Sequence, residues 1–446
     1  MRFSAIRACV LALGLIVAGA CFDSGSTDGC RTDADCLTNR LCVDGSCVPT
    51  MPELPPPVDG CSDDDSCGEG AACVTEINLC ACPTRFAACA DTCCLYEHRV
   101  VDMRGEDAMP ARALDLAVDA ANYAHVVYTV ESASGRTQLH YAHEDHLGWH
   151  TEMIDEQVGS ETAPALALDD DGVPHVLYEA DVTELYYAFR QPDGTWAVDD
   201  VNETASGTSV VIDIVVRGSV GIDLEVHIAV TTAIAVSYYH GGPGQWLREG
   251  IDFGVASVLA LNSFGTPEIA YYNDRSDVTL TLAQRVGPNE WEKEIIEEGL
   301  AYPLLQPALV FDDDGEPHIL FASGDGNALR YAHRGSGKWQ IWASGEFPGR
   351  PYYPALALQG DTIAIATTVL VDDIPRVMLH VARAGANGFA GATFPGVNST
   401  LDPGIGLHGV GVGLRMQPSP SGELVLAYGD LDLRALTVGR LEAAAR

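Results

Sequence analysis

The chain carries 14 cysteines, yet none falls between residue 95 and its last residue, 446. Basic side chains are also scarce, with 25 Lys and Arg against 63 Asp and Glu and a net charge of -38. Such a surface repels polyanions, which makes nucleic acid and anionic lipid headgroups poor candidate partners. The acidity suits a soluble monomer, and it leaves a cation or a basic partner open. Helical periodicity is almost missing; Leu441–Arg446 alone reads as a frayed turn. No apolar run reaches the roughly 20 residues of a spanning helix. GxSxG, P-loop and dinucleotide motifs are absent, and the glycine-rich stretch Gly404–Gly413 lacks a strand–helix context. No catalytic residue is therefore assigned. What remains is globular in composition, 47% hydrophobic and 20% charged, and long enough for at least two folding units.

Residues 1–20 read as an export signal. Arg2 and Arg7 supply a positive start, and Ala8–Ala20 is an apolar run too short for a lasting membrane span. It ends in Val17-Ala18-Gly19-Ala20-Cys21. Small residues before a cysteine resemble the lipobox of bacterial lipoproteins, although Ala18 stands where that motif prefers Leu. The resemblance implies acylation at Cys21, and Phe22 after it lacks the Asp that signals inner-membrane retention. The expectation is an exported protein anchored by lipid at the bacterial outer membrane or cell surface.

Cys9 lies in the signal and Cys21 at the lipid position; the other cysteines, an even set of 12, all fall between Cys30 and Cys94. In an exported protein this reads as a disulfide framework. The first module, 21–47, carries Cys30, Cys36, Cys42 and Cys47. The second, 61–96, repeats that opening with Cys61, Cys67 and Cys73 and adds Cys80, Cys82, Cys89, Cys93 and Cys94. Segments this short need bridges worth about 2–5 kcal/mol each to fold. Zinc competes poorly, since no CxxC pair and no histidine occur among them. The sequence leaves the pairing open. Between the modules, residues 48–60 hold Pro49, Pro52, Pro55, Pro56 and Pro57, a semi-rigid spacer. The pattern is similar to cysteine-rich stalk modules on surface lipoproteins of predatory and social proteobacteria.

The rest of the chain repeats itself. Trp149, Trp196, Trp246, Trp291 and Trp339 are spaced by 47, 50, 45 and 48 residues, and Phe389 follows after another 50. Upstream of two of them, "PALALDDDGVPHVLYEA" (Pro164–Ala180) matches "PALVFDDDGEPHILFAS" (Pro307–Ser323), and "ELYYAFR" (Glu184–Arg190) matches "ALRYAHR" (Ala328–Arg334). Each unit reads as four strands: a buried strand ending in an Asp/Gly turn, a "PHVLY" strand, an "LxYA" strand and a Trp-led outer strand. Four strands in 45–50 residues make a propeller blade. Seven units are counted, the last without its outer strand, and "HRVVDM" (His98–Met103) is expected to supply it. The expected fold is all-β, a seven-bladed propeller of four-stranded blades over residues 97–440. The disulfide-rich modules precede it and a tail, 441–446, follows.

Four constellations carry candidate chemistry. Asp169, Asp171, Asp312 and Asp314 cluster in Asp-Gly turns and are calcium candidates, with hairpin-turn chemistry as the simpler account. Otherwise no cofactor or metal is expected. His125, His175 and His318, with His227 nearly so, share one repeat position and suit a metal, a pH response or plain repetition of a framework residue. The tryptophans suit sugar stacking or packing between blades. The turns Asp193-Gly194-Thr195 before Trp196 and Gly335-Ser336-Gly337 before Trp339 resemble shortened forms of the Asp-box, S-x-D-x-G-x-x-W, of sialidase propellers. That resemblance implies a glycan-acting scaffold. The family's F-R-I-P segment and arginine cluster have no counterpart here, so Tyr128, Glu131, Tyr178 and Glu184 are merely available. The expected role is non-catalytic binding of a protein or glycan at one propeller face. A sialidase-like hydrolase or lyase, or a structural subunit of an envelope complex, are the alternatives.

Overall fold

Alternation of apolar and polar residues with a period of two builds strands, and Asp-Gly and other Gly-containing turns reverse them every few residues. The computed structural model describes strand segments at residues 40–43, 46–49, 72–74, 79–81 and 86–89, and most of residues 92–442 apart from segments including 104–112, 205–210, 344–350, 384–398 and 402–412. The signal, Cys21 and the cysteine side chains from Cys30 to Cys94 lie outside the described residues, as does Phe389. Contacts divide the chain into Met1–Thr50 and Met51–Arg446. In the first unit Arg40–Val43 pairs with Ser46–Pro49, and Cys42 stands opposite Cys47. In the second, Ala72–Val74 pairs with Leu79–Ala81, and Cys73 stands opposite Cys80. Among the described residues no helix is long and apolar enough to cross a membrane.

Six antiparallel four-stranded sheets follow in strict chain order. Blade 1 comprises Leu114–Val118, Ala124–Glu131, Thr137–Asp145 and Gly148–Asp155. Blade 2 comprises Ala165–Leu168, Pro174–Ala180, Glu184–Arg190 and Trp196–Thr204. Blade 3 runs Val211–Ser219, Ile222–Thr231, Ala235–Gly242 and Gln245–Phe253. Blade 4 runs Val255–Leu261, Pro267–Asn273, Val278–Gly287 and Glu290–Leu300. Blade 5 holds Ala308–Phe311, Pro317–Ala322, Leu329–Gly335 and Lys338–Ala343. Blade 6 holds Pro351–Gln359, Thr362–Val371, Ile374–Arg383 and Ser399–Leu401.

The expectation of seven four-stranded blades is corrected to six. The remaining sheet has five strands, because Thr92–Met103 is long enough to pair on both sides. Its first part pairs with Phe86–Cys89, while Tyr96–Met103 pairs with Ala435–Glu442 beside Glu423–Asp430 and Leu414–Pro418. We call this the closing sheet. The turn expected at Leu441–Arg446 is corrected as well: Leu441 and Glu442 belong to a strand, held there by pairing to Glu423, Leu424 and Tyr96.

The first strand of each sheet contacts the first strand of the next, and Leu114–Val118 touches both Ala165–Leu168 and Leu414–Pro418, so the inner strands form a closed ring. No blade has a core of its own. Leu177, Leu185 and Tyr187 of blade 2 pack with Ile212, Ile214 and Val226 of blade 3. Leu114, Val126 and Tyr128 of blade 1 pack with Val425, Ala427 and Leu436 of the closing sheet. Every junction between neighbouring sheets repeats this arrangement. Burial at about 25 cal/mol per Å² therefore stabilises contacts between blades rather than blades themselves.

Candidate functional site

The repeated histidines are tied into the frame through tyrosines. His125, His175 and His318 sit at the start of a second strand and His227 midway along one, and each shares a hydrogen bond through Nδ1 with a tyrosine hydroxyl on the third. The pairs are His125 with Tyr141 (2.5 Å), His175 with Tyr187 (2.5 Å), His227 with Tyr238 (2.6 Å) and His318 with Tyr331. On the other ring nitrogen stands an acid: Asp119 at 3.5 Å from His125, Asp169 at 3.5 Å from His175, Asp312 at 3.2 Å from His318. Blade 4 replaces the pair with Asn262 donating to Glu268, which also accepts from Gln284. Burial holds the imidazoles neutral, pushing His125 and His227 down to about 4. The tyrosine of "LxYA" was in plain sight in the sequence; its partnership with the "PHVLY" histidine was not, because only strand register sets them side by side.

In the Asp-rich turns the first aspartate bonds the backbone of its own turn. Asp169 Oδ1 accepts the N–H groups of Asp171 and Val173, and Asp312 Oδ1 accepts that of Glu316. Gly172 (φ 79°) and Gly315 (φ 80°) take the left-handed conformation that closes each turn. Asp171 and Asp314 are exposed. Among the described residues, the three-residue cluster with cation-binding geometry contains Asp312 but not Asp169, Asp171 or Asp314.

The tryptophans of the outer strands pack across junctions. Trp196 meets Tyr141 edge-on at 5.3 Å, Trp246 meets Tyr187 at 5.2 Å and Trp291 meets Tyr238 at 5.2 Å. Each indole N–H also donates to an acid on the preceding blade: Trp196 to Glu152 (3.2 Å), Trp246 to Asp199 (2.7 Å) and Trp291 to Glu249 (3.0 Å). Tyr128 and Tyr178 donate to Asp102 and Asp155 on the outer strands of the sheets before theirs. Glu184 accepts from Tyr186. Tyr128, Glu131, Tyr178 and Glu184 are not gathered at one point.

At the inner ring stand Asp115, Asp213 and Arg415. Asp115 Oδ1 accepts from Arg415 and its Oδ2 from the Leu166 N–H; Asp213 Oδ2 accepts from the Leu259 N–H and its Oδ1 from the Ile214 N–H. Each acid thus bolts its inner strand to the next. Burial pushes Asp213 up to about 7, and the negative charge of Asp115 adds to that shift. All four carboxylate oxygens are engaged with the frame.

Two junctions carry the same set of polar side chains in different arrangements. At the junction of blades 3 and 4, Glu249 is buried and closed: Arg285 donates to it through Nε and Nη2, Trp291 adds its indole, and His240 lies 3.4 Å away. Burial opposes its ionisation, but those donors overcome it and hold its carboxyl below the usual range. At the junction of blades 1 and 2 the same types recur as His143, Glu152, Arg190 and Trp196, but the set is open. Arg190 gives Glu152 only its Nε, at 2.8 Å, and the two terminal guanidinium nitrogens have no partner among the described residues. His143 stacks on His150 with centroids 5.2 Å apart, and its Nδ1 is buried without a partner. Burial, then the neighbouring His150, lowers its pKa. His150 Nε2 lies 3.1 Å from Asp145. His143, Asp145, His150, Thr151, Glu152 and Arg190 line a pocket of about 330 Å³.

The fold and this pocket define an all-β propeller of four-stranded blades with a polar cleft between two of them. Residues 29–81 match a domain of unknown function, DUF7107. No curated protein matches the chain. Among solved structures, the chain is similar to a protein of unknown function from Dyadobacter fermentans at 12% identity and TM-score 0.45, covering 78% of this chain and 98% of that one. It is also similar to the Hadza microbial sialidase Hz136, at 13% identity and TM-score 0.45, covering 64% and 68%. A third is the SapL1 lectin in complex with alpha methyl fucoside, at 12% identity and TM-score 0.41, covering 61% and 90%.

Proposed function

We propose that this chain is an exported, lipid-anchored binding protein whose propeller holds a neutral glycan in the cleft between blades 1 and 2. The opened clamp at Arg190 and Glu152 is the observation that carries the reading. A carboxylate, a guanidinium with two uncommitted nitrogens and two imidazoles offer acceptors and donors a few ångströms apart, which vicinal hydroxyls satisfy in pairs. The cleft is at the small end of ligand pockets, which span about 300–1,000 Å³, and its lining lacks the apolar walls that hold drug-like ligands. The acidic surface excludes polyanionic sugars. The acids of the inner ring, all bonded to the frame, speak for binding without catalysis.

The test is a glycan array with the full chain, followed by titration of the best neutral ligand. Arg190→Ala is expected to weaken binding by roughly tenfold to a hundredfold, the value of one charged hydrogen bond. His150→Ala is expected to weaken it less. Retention of no neutral glycan, or equal binding by Arg190→Ala, overturns the reading; release of free sugar from the ligand would assign catalysis instead.

The anchor rests on Cys21, with the cysteine modules and the proline-rich segment as a spacer between lipid and propeller. Cys21→Ser is expected to move the protein from the membrane fraction to the soluble exported fraction, read by fractionation and by loss of the acyl mass.

A further inference from the structure

Among the described residues, blade 5 brings together an acid and two imidazoles that its sister blades do not. His333 on its third strand stands directly opposite His318 on the second, and the rings stack with centroids 4.2 Å apart. Asp312, in the turn before the second strand, directs Oδ2 at both Nε2 atoms, 3.2 Å from His318 and 3.9 Å from His333. One ligand atom from each of the three residues lies within 4.8 Å of the others. We propose that Asp312, His318 and His333 bind a divalent transition cation of the zinc, nickel or copper class.

Two imidazoles and one carboxylate are the donor set such cations select, whereas calcium takes an all-oxygen shell. Three protein ligands leave an open position for water. The repeat supplies its own comparisons. In blade 2, Phe189 takes the place of the second imidazole, and Asp169 Oδ2 already accepts the Val220 N–H. In blade 1, His143 stands opposite His125 but stacks on His150 and lines the cleft. In blade 3 the acid beside His227 is the exposed Glu225, 3.9 Å away. Blade 4 has no imidazole at these positions.

The surroundings suit a cation. Tyr331 holds the His318 ring through Nδ1 and so aims Nε2 at Asp312. Without a cation, a carboxylate at 3.2 Å requires the proton on Nε2, which donates to Asp312. Binding requires that proton to move to Nδ1, with the Tyr331 hydroxyl turning from donor to acceptor, so the neutral ring loses no proton to solvent. Glu316 nearby is occupied by Arg334, and the exposed Asp313 and Asp314 add negative potential around the site.

The experiment uses the untagged, oxidised full chain, stripped with chelator and titrated with Co²⁺ and Zn²⁺. Wild type is expected to take one equivalent of Co²⁺ with weak visible bands of nitrogen and oxygen ligation and no thiolate charge transfer. His333→Phe copies the side chain that blade 2 carries at this position and preserves the ring packing. It is expected to lose that equivalent, with affinity down about a hundredfold or more, while its melting temperature without metal stays unchanged. Asp312→Asn is expected to fall between the two. No stoichiometric binding by wild type, binding through thiolate bands alone, or equal binding by His333→Phe overturns the proposal. If His333→Phe fails to fold, His333→Gln with the same titration decides it.

Discussion

A chain lacking residues 92–103 is expected not to form a soluble monomeric propeller. Those residues give the strand Ala435–Glu442 its outer neighbour, with Thr437 opposite Val100 and Leu441 opposite Tyr96. Their removal strips a ladder of backbone hydrogen bonds, each worth about 1 kcal/mol net, and exposes an edge ready to pair with another molecule. Val101 also leaves the core that joins blade 1 to the closing sheet, and Tyr128 loses its acceptor Asp102. The combined loss is on the order of 5 kcal/mol or more, comparable with the whole stability of a typical domain. Size-exclusion chromatography and urea unfolding measure it. Asp102→Ala isolates one component and is expected to cost about 1–2 kcal/mol through loss of the hydrogen bond that Tyr128 donates to Asp102. A truncated chain as stable and monomeric as wild type would show that the ring does not depend on this closure.

Acidification supplies the second large effect. His125 and His227 are buried and pushed down to about 4, chiefly by desolvation. Asp119 partly opposes the shift at His125 and His143 adds to it; His240, Arg217 and Arg285 add to it at His227. The unfolded chain then binds more protons than the folded one between the ordinary histidine value near 6.5 and about 4. Stability from these groups is therefore complete above pH 6.5 and drains away as the pH falls toward 4. Each contributes up to about 3 kcal/mol over that window. Asp213 works in the opposite sense. Raised to about 7, it costs stability as the pH climbs from its ordinary value through 7, so acid relieves it. His318, likewise down to about 4, works with these two histidines, while Asp115 and Glu268, raised by burial, work with Asp213; with three histidines on one side, the melting temperature is expected to fall from pH 6.5 to pH 4. His227→Gln should flatten part of that slope while lowering stability at pH 7. A melting temperature that is level or rises over that range in the wild type would show that the histidines are not held neutral.

Much of the propeller was legible because a repeat states the same physical solution several times. The "PHVLY" and "LxYA" segments became the second and third strands of blades 2 and 5 at the expected places. Asp-Gly turns became turns because Asp bonds its own backbone and Gly tolerates positive φ, both local properties. The cleft was not legible. His143, Glu152 and Arg190 come from three strands of two blades, and nothing in their spacing separates them from His240, Glu249 and Arg285, which form a closed structural clamp.

Local chemistry written along the chain decided the strands, their turns and the four-stranded unit, since period-two alternation and turn residues act within a few positions. The neighbours of each unit were decided only in three dimensions. Junction cores, the five-stranded closing sheet, the neutral histidines and the difference between an open and a closed arginine–glutamate pair depend on which side chains of separate blades face each other. Those distances are set by packing around the ring, and residues some 40 or more apart in sequence meet there.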